Sequence, residues 1–273
     1  MHKIFMKLTL TVFRFGDIVA SMWSKESLES NKKFRFMIFC YGLPSHPYQH
    51  NPAKVEKLIE RGFVLIYPNY IGTWASYGIM SWENCTNTIL QTIDFLRGGE
   101  GKNIYDDSKI LWKVKDITLV GGSFGGAVVL VAGAKSKYIK NIIAVCAPTN
   151  WRNHSRIPEE KGEPIEKLYY TIQKGWKNLW RIPNKEEWDR LVNGSADLNA
   201  VDYIEELKNK NVLLIHGELD NIVVAKRSID LYSQLKKGNG NHKLIILKNE
   251  GHEGNYIIGR EDVFTQVIDW LGK

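Results

Sequence analysis

One serine stands among four glycines in LVGGSFGGAVVL (residues 119–130), where Gly121, Gly122, Gly125 and Gly126 flank Ser123. Glycine in such number costs conformational entropy on folding, so the cluster needs a backbone reason. A turn that only requires positive φ is one reason. The other is a strand that stops abruptly and hands over to a helix with Ser123 at the tip, where glycines on both sides relieve crowding. A nucleophilic serine needs a base, because its hydroxyl is barely ionised at neutral pH, and the base needs an acid to orient it. Downstream, VLLIHGELDNIV (212–223) places Asp220 just past an apolar run, and KLIILKNEGHEGN (243–255) does the same for His252. The chemistry these residues suit is acyl transfer: Ser123 attacks a carbonyl, His252 moves the proton and Asp220 orients His252.

Other polar residues compete for these roles less well. His216 ends an apolar strand and reads as a packed histidine or loop organiser, and Glu218 is an alternative to Asp220 from the same loop. Glu253 reads as a solvated neighbour of His252, and His46 and His50 as loop residues. No CxxC, HExxH or paired-histidine motif is present, so no metal is expected. Gly98-Gly99-Glu100-Gly101-Lys102 resembles a phosphate loop at a glance, but no Ser or Thr follows the lysine and a helix precedes it. No cofactor is expected.

The elements around these loops alternate. Strands are expected over 7–13 and 17–23 as a hairpin, then over 34–41, 63–69, 116–122, 141–147, 212–217 and 243–248. Helices are expected over 51–62 (with an Asn51 cap and Pro52), 82–98, from Phe124 onward, 225–238 and 261–272. Strands alternating with helices imply a parallel sheet covered on both faces, here an eight-stranded, mostly parallel one with an antiparallel edge. Ser123, Asp220 and His252 then all lie beyond carboxyl ends of strands, where such sheets bind ligands. Residues 149–197 break the rhythm. Ile165, Leu168, Tyr169, Ile172, Trp176 and Leu179 recur at helical spacing, and a second helix starts at Asn184 with Glu187 as a capping-box partner. The expected organisation is a core of residues 1–148 and 198–273 with an inserted helical cap at 149–197.

Composition narrows the classes. The net charge is +7, but the lysines (Lys54, Lys57, Lys102, Lys208, Lys210, Lys236, Lys237) are scattered, so nucleic acid is not an expected partner. No stretch approaches the ~18 consecutive apolar residues of a membrane span, and MHKIFMKLTLTVF reads as a strand rather than a signal peptide. Cys40, Cys85 and Cys146 are odd in number and far apart, as packed thiols of a reducing compartment are. A cytoplasmic location is expected.

The chain resembles the α/β-hydrolases, and more narrowly the catalytic domains of prolyl oligopeptidase-type serine peptidases and their esterase relatives. The likeness rests on fold order over roughly residues 34–148 and 198–273 and on four stretches. LVGGSFGG is similar to the nucleophile motif, LLIHGELDNIV to the acid motif and NEGH to the histidine motif, while FVLIYPNYIGTWASYG is like the stretch after the second core strand. Ile71 stands where many relatives carry arginine. The resemblance implies an oxyanion hole made by the N–H of Phe124 and a second donor from CYGLP (40–44), either the Tyr41 hydroxyl, the first expectation, or the Leu43 N–H. It also implies a small ester or short peptide as substrate. Peptide-cleaving relatives commonly carry a propeller ahead of this domain, and none is expected here because core strands begin close to Met1. Aromatic residues Trp74, Tyr169, Trp176 and Trp180 are the expected substrate contacts, with Trp176 and Trp180 equally readable as cap core. They favour a hydrophobic ester over an aminoacyl amide, with Glu163 or Glu166 as the alternative amine anchor. The same triad serves an acyltransferase. A non-catalytic protein of this fold would lack a triad residue, and all three are in place.

Overall fold

The computed structural model describes residues 8–25, 28, 32–46, 54–154 and 157–272. His50, Asn51 and Pro52, and the first residue of the strand expected at 7–13, lie outside them.

Strands β1 (Thr9–Phe15) and β2 (Ile18–Ser24) form an antiparallel hairpin that turns through Gly16 at φ 55°. β3 (Lys33–Cys40), β4 (Phe63–Pro68), β7 (Lys113–Gly122), β8 (Asn141–Val145), β9 (Asn211–Gly217) and β10 (Lys243–Leu247) complete an eight-stranded sheet. Its order is β1-β2-β4-β3-β7-β8-β9-β10, parallel from β4 through β10. A short two-stranded sheet, β5 (Glu100–Lys102) with β6 (Lys109–Leu111), was not expected. Each of its strands is too short to show a period.

Alternation splits the central strands between two cores. Phe36, Ile38, Leu119, Ile142, Ala144, Val212 and Leu214 pack on one face, under α2 (Trp82–Gly98) and α3 (Phe124–Lys135). Met37, Phe39, Val120, Ile143, Val145, Leu213 and Ile215 pack on the other, under α1 (Glu56–Glu60) and α8 (Glu261–Leu271). With both faces covered, these strands have no polar side to show, which explains their nearly continuous apolar sequence. Helix α3 is buried from Phe124 through Ala134, as befits a helix apolar all round.

Between β8 and β9 the chain forms α4 (Ile165–Gly175), α5 (Lys185–Val192) and the short α6 (Ile204–Leu207). The helical spacing that extends to Leu179 is cut at Gly175, and Trp176 closes the helix. Asn184 caps α5 by accepting the Glu187 N–H at 2.9 Å, as the sequence implies. The Glu187 carboxylate does not reach back to Asn184; it accepts the N–H of Trp82 and so caps α2.

The root of this segment is held by a buried cation. Arg227, on α7 (Lys226–Leu235), uses all its donors: Glu160 takes Nε and Nη2, while Nη1 reaches the Asn150 carbonyl and Asn153 Oδ1, and Nη2 also meets the Asn153 carbonyl. Glu160 also accepts the Val224 N–H, and Lys161 and Gly162 donate to the Asn221 carbonyl, so the segment is tied to the loop that follows Asp220. Burial alone would raise the Glu160 pKa, but the bonds from Arg227 and His154 outweigh it and bring it down to about 2. A carboxylate depressed in the folded state adds stability above its unfolded pKa and loses that contribution as pH falls toward the folded one. Urea unfolding midpoints followed from about pH 5 to about pH 2 should therefore fall more steeply in the wild type than in Glu160→Gln. At neutral pH, Arg227→Ala should lose about 3–5 kcal/mol, because it strands a buried carboxylate.

Candidate active site

Ser123 sits between β7 and α3 with φ 53° and ψ −125°, a conformation that non-glycine residues adopt only under constraint. Its N–H donates to the Val145 carbonyl at 2.8 Å, and its own carbonyl accepts the Gly126 N–H at 2.8 Å. The glycines serve backbone contact. A Cβ on Gly121 would overlap the Gly125 carbonyl, and one on Gly125 would lie 2.5 Å from the Cys40 carbonyl oxygen. The strand-to-helix reading of the cluster is the one the structure adopts.

Register aligns the strand ends around this tip: Cys40 opposite Gly121, Gly122 opposite Val145, Val145 opposite Ile215 and Gly217 opposite Leu247. The loops after β9 and β10 consequently bring Asp220 and His252 together. His252 Nδ1 donates to Asp220 Oδ2 at 2.7 Å, which leaves Nε2 as the acceptor. The Asp220 side chain is fully buried and that of His252 is 20% exposed. Asp220 Oδ1 accepts the N–H groups of Ile222 and Val223, each at 2.9 Å. Burial would raise the Asp220 pKa, yet the bonds from His216 and His252 hold it well below the usual carboxylate range. The acid is ionised and fixed.

Ser123 and His252 line one cavity of about 500 Å³, together with Tyr41, Gly42, Leu43, Pro44, Ser45, Lys54, Gly122, Glu253, Gly254, Asn255 and Tyr256. No hydrogen bond joins the Ser123 hydroxyl to the imidazole among the described residues; such bonds commonly tighten only when substrate is bound.

His216 is fully buried, as expected of a packed histidine. Its Nε2 donates to the Val223 carbonyl at 2.6 Å and lies 3.2 Å from Asp220 Oδ2, while Nδ1 meets the Ser228 hydroxyl at 2.7 Å. Cys146, His216 and Asp220 bring potential ligand atoms within 4.8 Å of one another. Both His216 nitrogens are engaged by hydrogen bonds and the carboxylate is already surrounded by donors, so the set does not fit a cation.

Two sequence expectations need correction. The Tyr41 hydroxyl is buried and committed elsewhere: it accepts the Tyr70 N–H at 3.0 Å and lies 2.7 Å from Thr73 Oγ1. Because Thr73 donates its own proton to the Tyr70 carbonyl, the Tyr41 proton goes to Thr73 and none remains for an oxyanion. The N–H groups of Leu43 and Phe124, by contrast, have no acceptor among the described residues. Trp180 is fully buried, with its ring against Tyr41, Tyr70 and Phe124, and is a core residue rather than a substrate contact.

Trp74, Tyr169 and Trp176 are half-buried and do not line the cavity. Trp74 and Trp176 meet edge to face, and Trp74 donates to the carbonyl of Ser45 on the cavity rim. Tyr169 packs against Tyr170 and Trp188. Neither Glu163 nor Glu166 lines the cavity; its carboxylate is Glu253, facing the cavity with Lys54, whose ammonium lies 4.2 Å above the Tyr256 ring. Sequence reasoning missed Lys54, which carries no motif and, from its place just ahead of α1, meets the cavity only through the fold.

The model of the prolyl oligopeptidase family matches residues 49–273. The chain belongs to that family. It is a serine hydrolase with the α/β-hydrolase fold. Among solved structures it is similar to Est1E from Butyrivibrio proteoclasticus with ferulic acid bound, at TM-score 0.66 and 19% identity over 96% of this chain and 99% of that one. An esterase from Pyrococcus furiosus matches at TM-score 0.66 and 18% identity, over 98% and 91%. An acylaminoacyl peptidase from Pyrococcus horikoshii matches at TM-score 0.63 and 15% identity, over 99% of this chain but 42% of that one. At these identities the structures share the fold. A search of curated protein sequences returns no match. Among the described residues of this family member, no helix is long and apolar enough to cross a membrane.

Removing an oxyanion donor costs about 100- to 1,000-fold in kcat. Tyr41→Phe should instead change kcat less than about threefold while costing about 1–3 kcal/mol of stability, read by urea unfolding, because it strands Thr73 and the Tyr70 N–H.

Proposed function

We propose that this prolyl oligopeptidase family member hydrolyses carboxylic esters through an acyl-enzyme, with Ser123 as nucleophile, His252 as base and Asp220 as its orienting acid. The observation that carries this reading is the constrained Ser123 on the same cavity as an imidazole whose Nδ1 proton is held by a buried, ionised Asp220. Ser123 Oγ bonds to the carbonyl carbon as its proton passes to His252 Nε2. The N–H groups of Phe124 and Leu43 receive the oxyanion. His252 returns the proton to the departing alcohol, and water then repeats the sequence against the acyl-enzyme to release the acid and regenerate Ser123.

Esters are favoured because the cavity wall offers Leu43, Pro44 and Tyr256 to an apolar group, and burial of such groups drives binding. We propose that residues 149–197 act as a helical cap over this wall, with Trp74 and Trp176 at its rim. Three buried, free cysteines support a cytoplasmic, reducing setting. A second reading, cleavage of aminoacyl amides, draws on the family and on Glu253, a carboxylate positioned to hold an amine.

A fluorophosphonate should label Ser123 alone, and Ser123→Ala should abolish labelling and turnover without lowering the unfolding midpoint. Labelling that persists in the alanine variant overturns the nucleophile. Removing the base should lower kcat/KM by about 1,000-fold or more in His252→Ala, with a far smaller loss in His216→Ala. A panel of p-nitrophenyl esters and aminoacyl amides decides the substrate: higher kcat/KM for hydrophobic esters is expected, and faster amide cleavage that is lost in Glu253→Gln selects the second reading.

A further inference from the structure

The three loops that carry the triad meet at the end of β8. Val145 accepts the N–H of Ser123 at 2.8 Å, and the next residue, Cys146, donates its own N–H to the Ile215 carbonyl at 2.8 Å, on the strand leading to Asp220. The Cys146 sulfur accepts the N–H of Glu253, the residue after His252, at 3.3 Å. The same sulfur lies within 4.8 Å of ligand atoms of Asp220 and His216. Cys146 is fully buried and adopts φ 47°, a region where glycine is relaxed and a side chain costs about 1–3 kcal/mol. A side chain stands where the backbone favours none, and its one polar atom lies beside Asp220 and the residue that follows His252. Burial, followed by the Asp220 charge, pushes the thiol up to about 12, which favours the protonated form, the one able to donate.

We propose that Cys146 is a positioning residue: its thiol donates to the Asp220 carboxylate and accepts from the Glu253 backbone, so that one side chain fixes both partners of the His252–Asp220 hydrogen bond. The inference rests on the triad reading above. The groups that face this pair are His216 beside Asp220, Glu253 next to His252, and Lys54 and Tyr256 on the same cavity. Without the thiol, Asp220 loses a donor that shares its charge and holds the His252 proton more tightly. The acidic limb of reactivity then moves to higher pH. The His252 loop also loses an anchor, which lowers the rate at every pH.

The test is the second-order rate of Ser123 labelling by a fluorophosphonate, followed against pH in the wild type, Cys146→Ala, Cys146→Gly and Cys146→Ser. Glycine suits the backbone at this position, so Cys146→Gly separates lost chemistry from lost folding. Ala and Gly variants should label about 5- to 20-fold more slowly, with the acidic limb raised by about half a pH unit. The Ser variant, which keeps a donor and an acceptor, should recover to within about threefold of wild type. Wild-type rates and an unmoved limb in the Ala and Gly variants, with only the unfolding midpoint changed, overturn the proposal. So does a serine variant no better than alanine. Failure of the wild type to label at Ser123 overturns the triad reading itself, and is told apart because it precedes any substitution at Cys146.

Discussion

Helix α3 touches the sheet through backbone, and everything in the cavity depends on that approach. Gly121 and Gly125 carry no side chains to hold the helix away, so its first turn settles against the carbonyl end of β3. The chain between β7 and α3 has to turn within one residue, and Ser123 takes the positive φ that results. The strain is held by ordinary means, an N–H to the Val145 carbonyl and a carbonyl to the Gly126 N–H. Substituents on those glycines would push the helix outward and move the serine away from His252.

The second support lies under the nucleophile. Phe124, the residue after Ser123, is enclosed by Tyr70, Trp82, Trp151 and Trp180 at ring separations of 5.8 to 6.2 Å. Two of these tryptophans belong to the segment between β8 and β9, so that segment completes the packing of the nucleophile helix. Trp180 also joins Thr73 in an isolated bridge, and Arg181 donates to the carbonyls of Trp74 and Gly78. Residues that read as a substrate wall are therefore partly the floor of the core, and the apolar lining falls to Leu43, Pro44 and Tyr256.

Much of this was legible because the signals were periodic or stereochemically costly. The central strands announce themselves by uninterrupted apolar runs, and the glycine cluster around Ser123 has few backbone explanations. The Asp220 and His252 loops follow strands so closely that their meeting is set by register. The hydroxyl of Tyr41 was misjudged because its direction depends on Tyr70 and Thr73, which only the fold brings near. For Trp180 the sequence leaves cap core and substrate contact equally open, because what buries an aromatic side chain is decided by Tyr41, Tyr70 and Phe124, which only the fold brings near. Lys54 and the thiol of Cys146 belong to no motif, and their roles arise from proximity between distant segments.

Arg227 leaves a kinematic signature. With every guanidinium donor spent on Glu160, Asn150 and Asn153, the chain leaving β8 is tied to α7 where it departs from the core. At the far end, Arg190 grips Glu83 on α2 and Trp82 donates to the Glu187 carbonyl. Between these ends the Thr73–Trp180 bridge and the Arg181 bonds add a third anchor, so the segment is fastened to the core at three separate places. Residues inserted between neighbouring anchors would leave Ser123, Asp220 and His252 where they are, because none of the three belongs to that span.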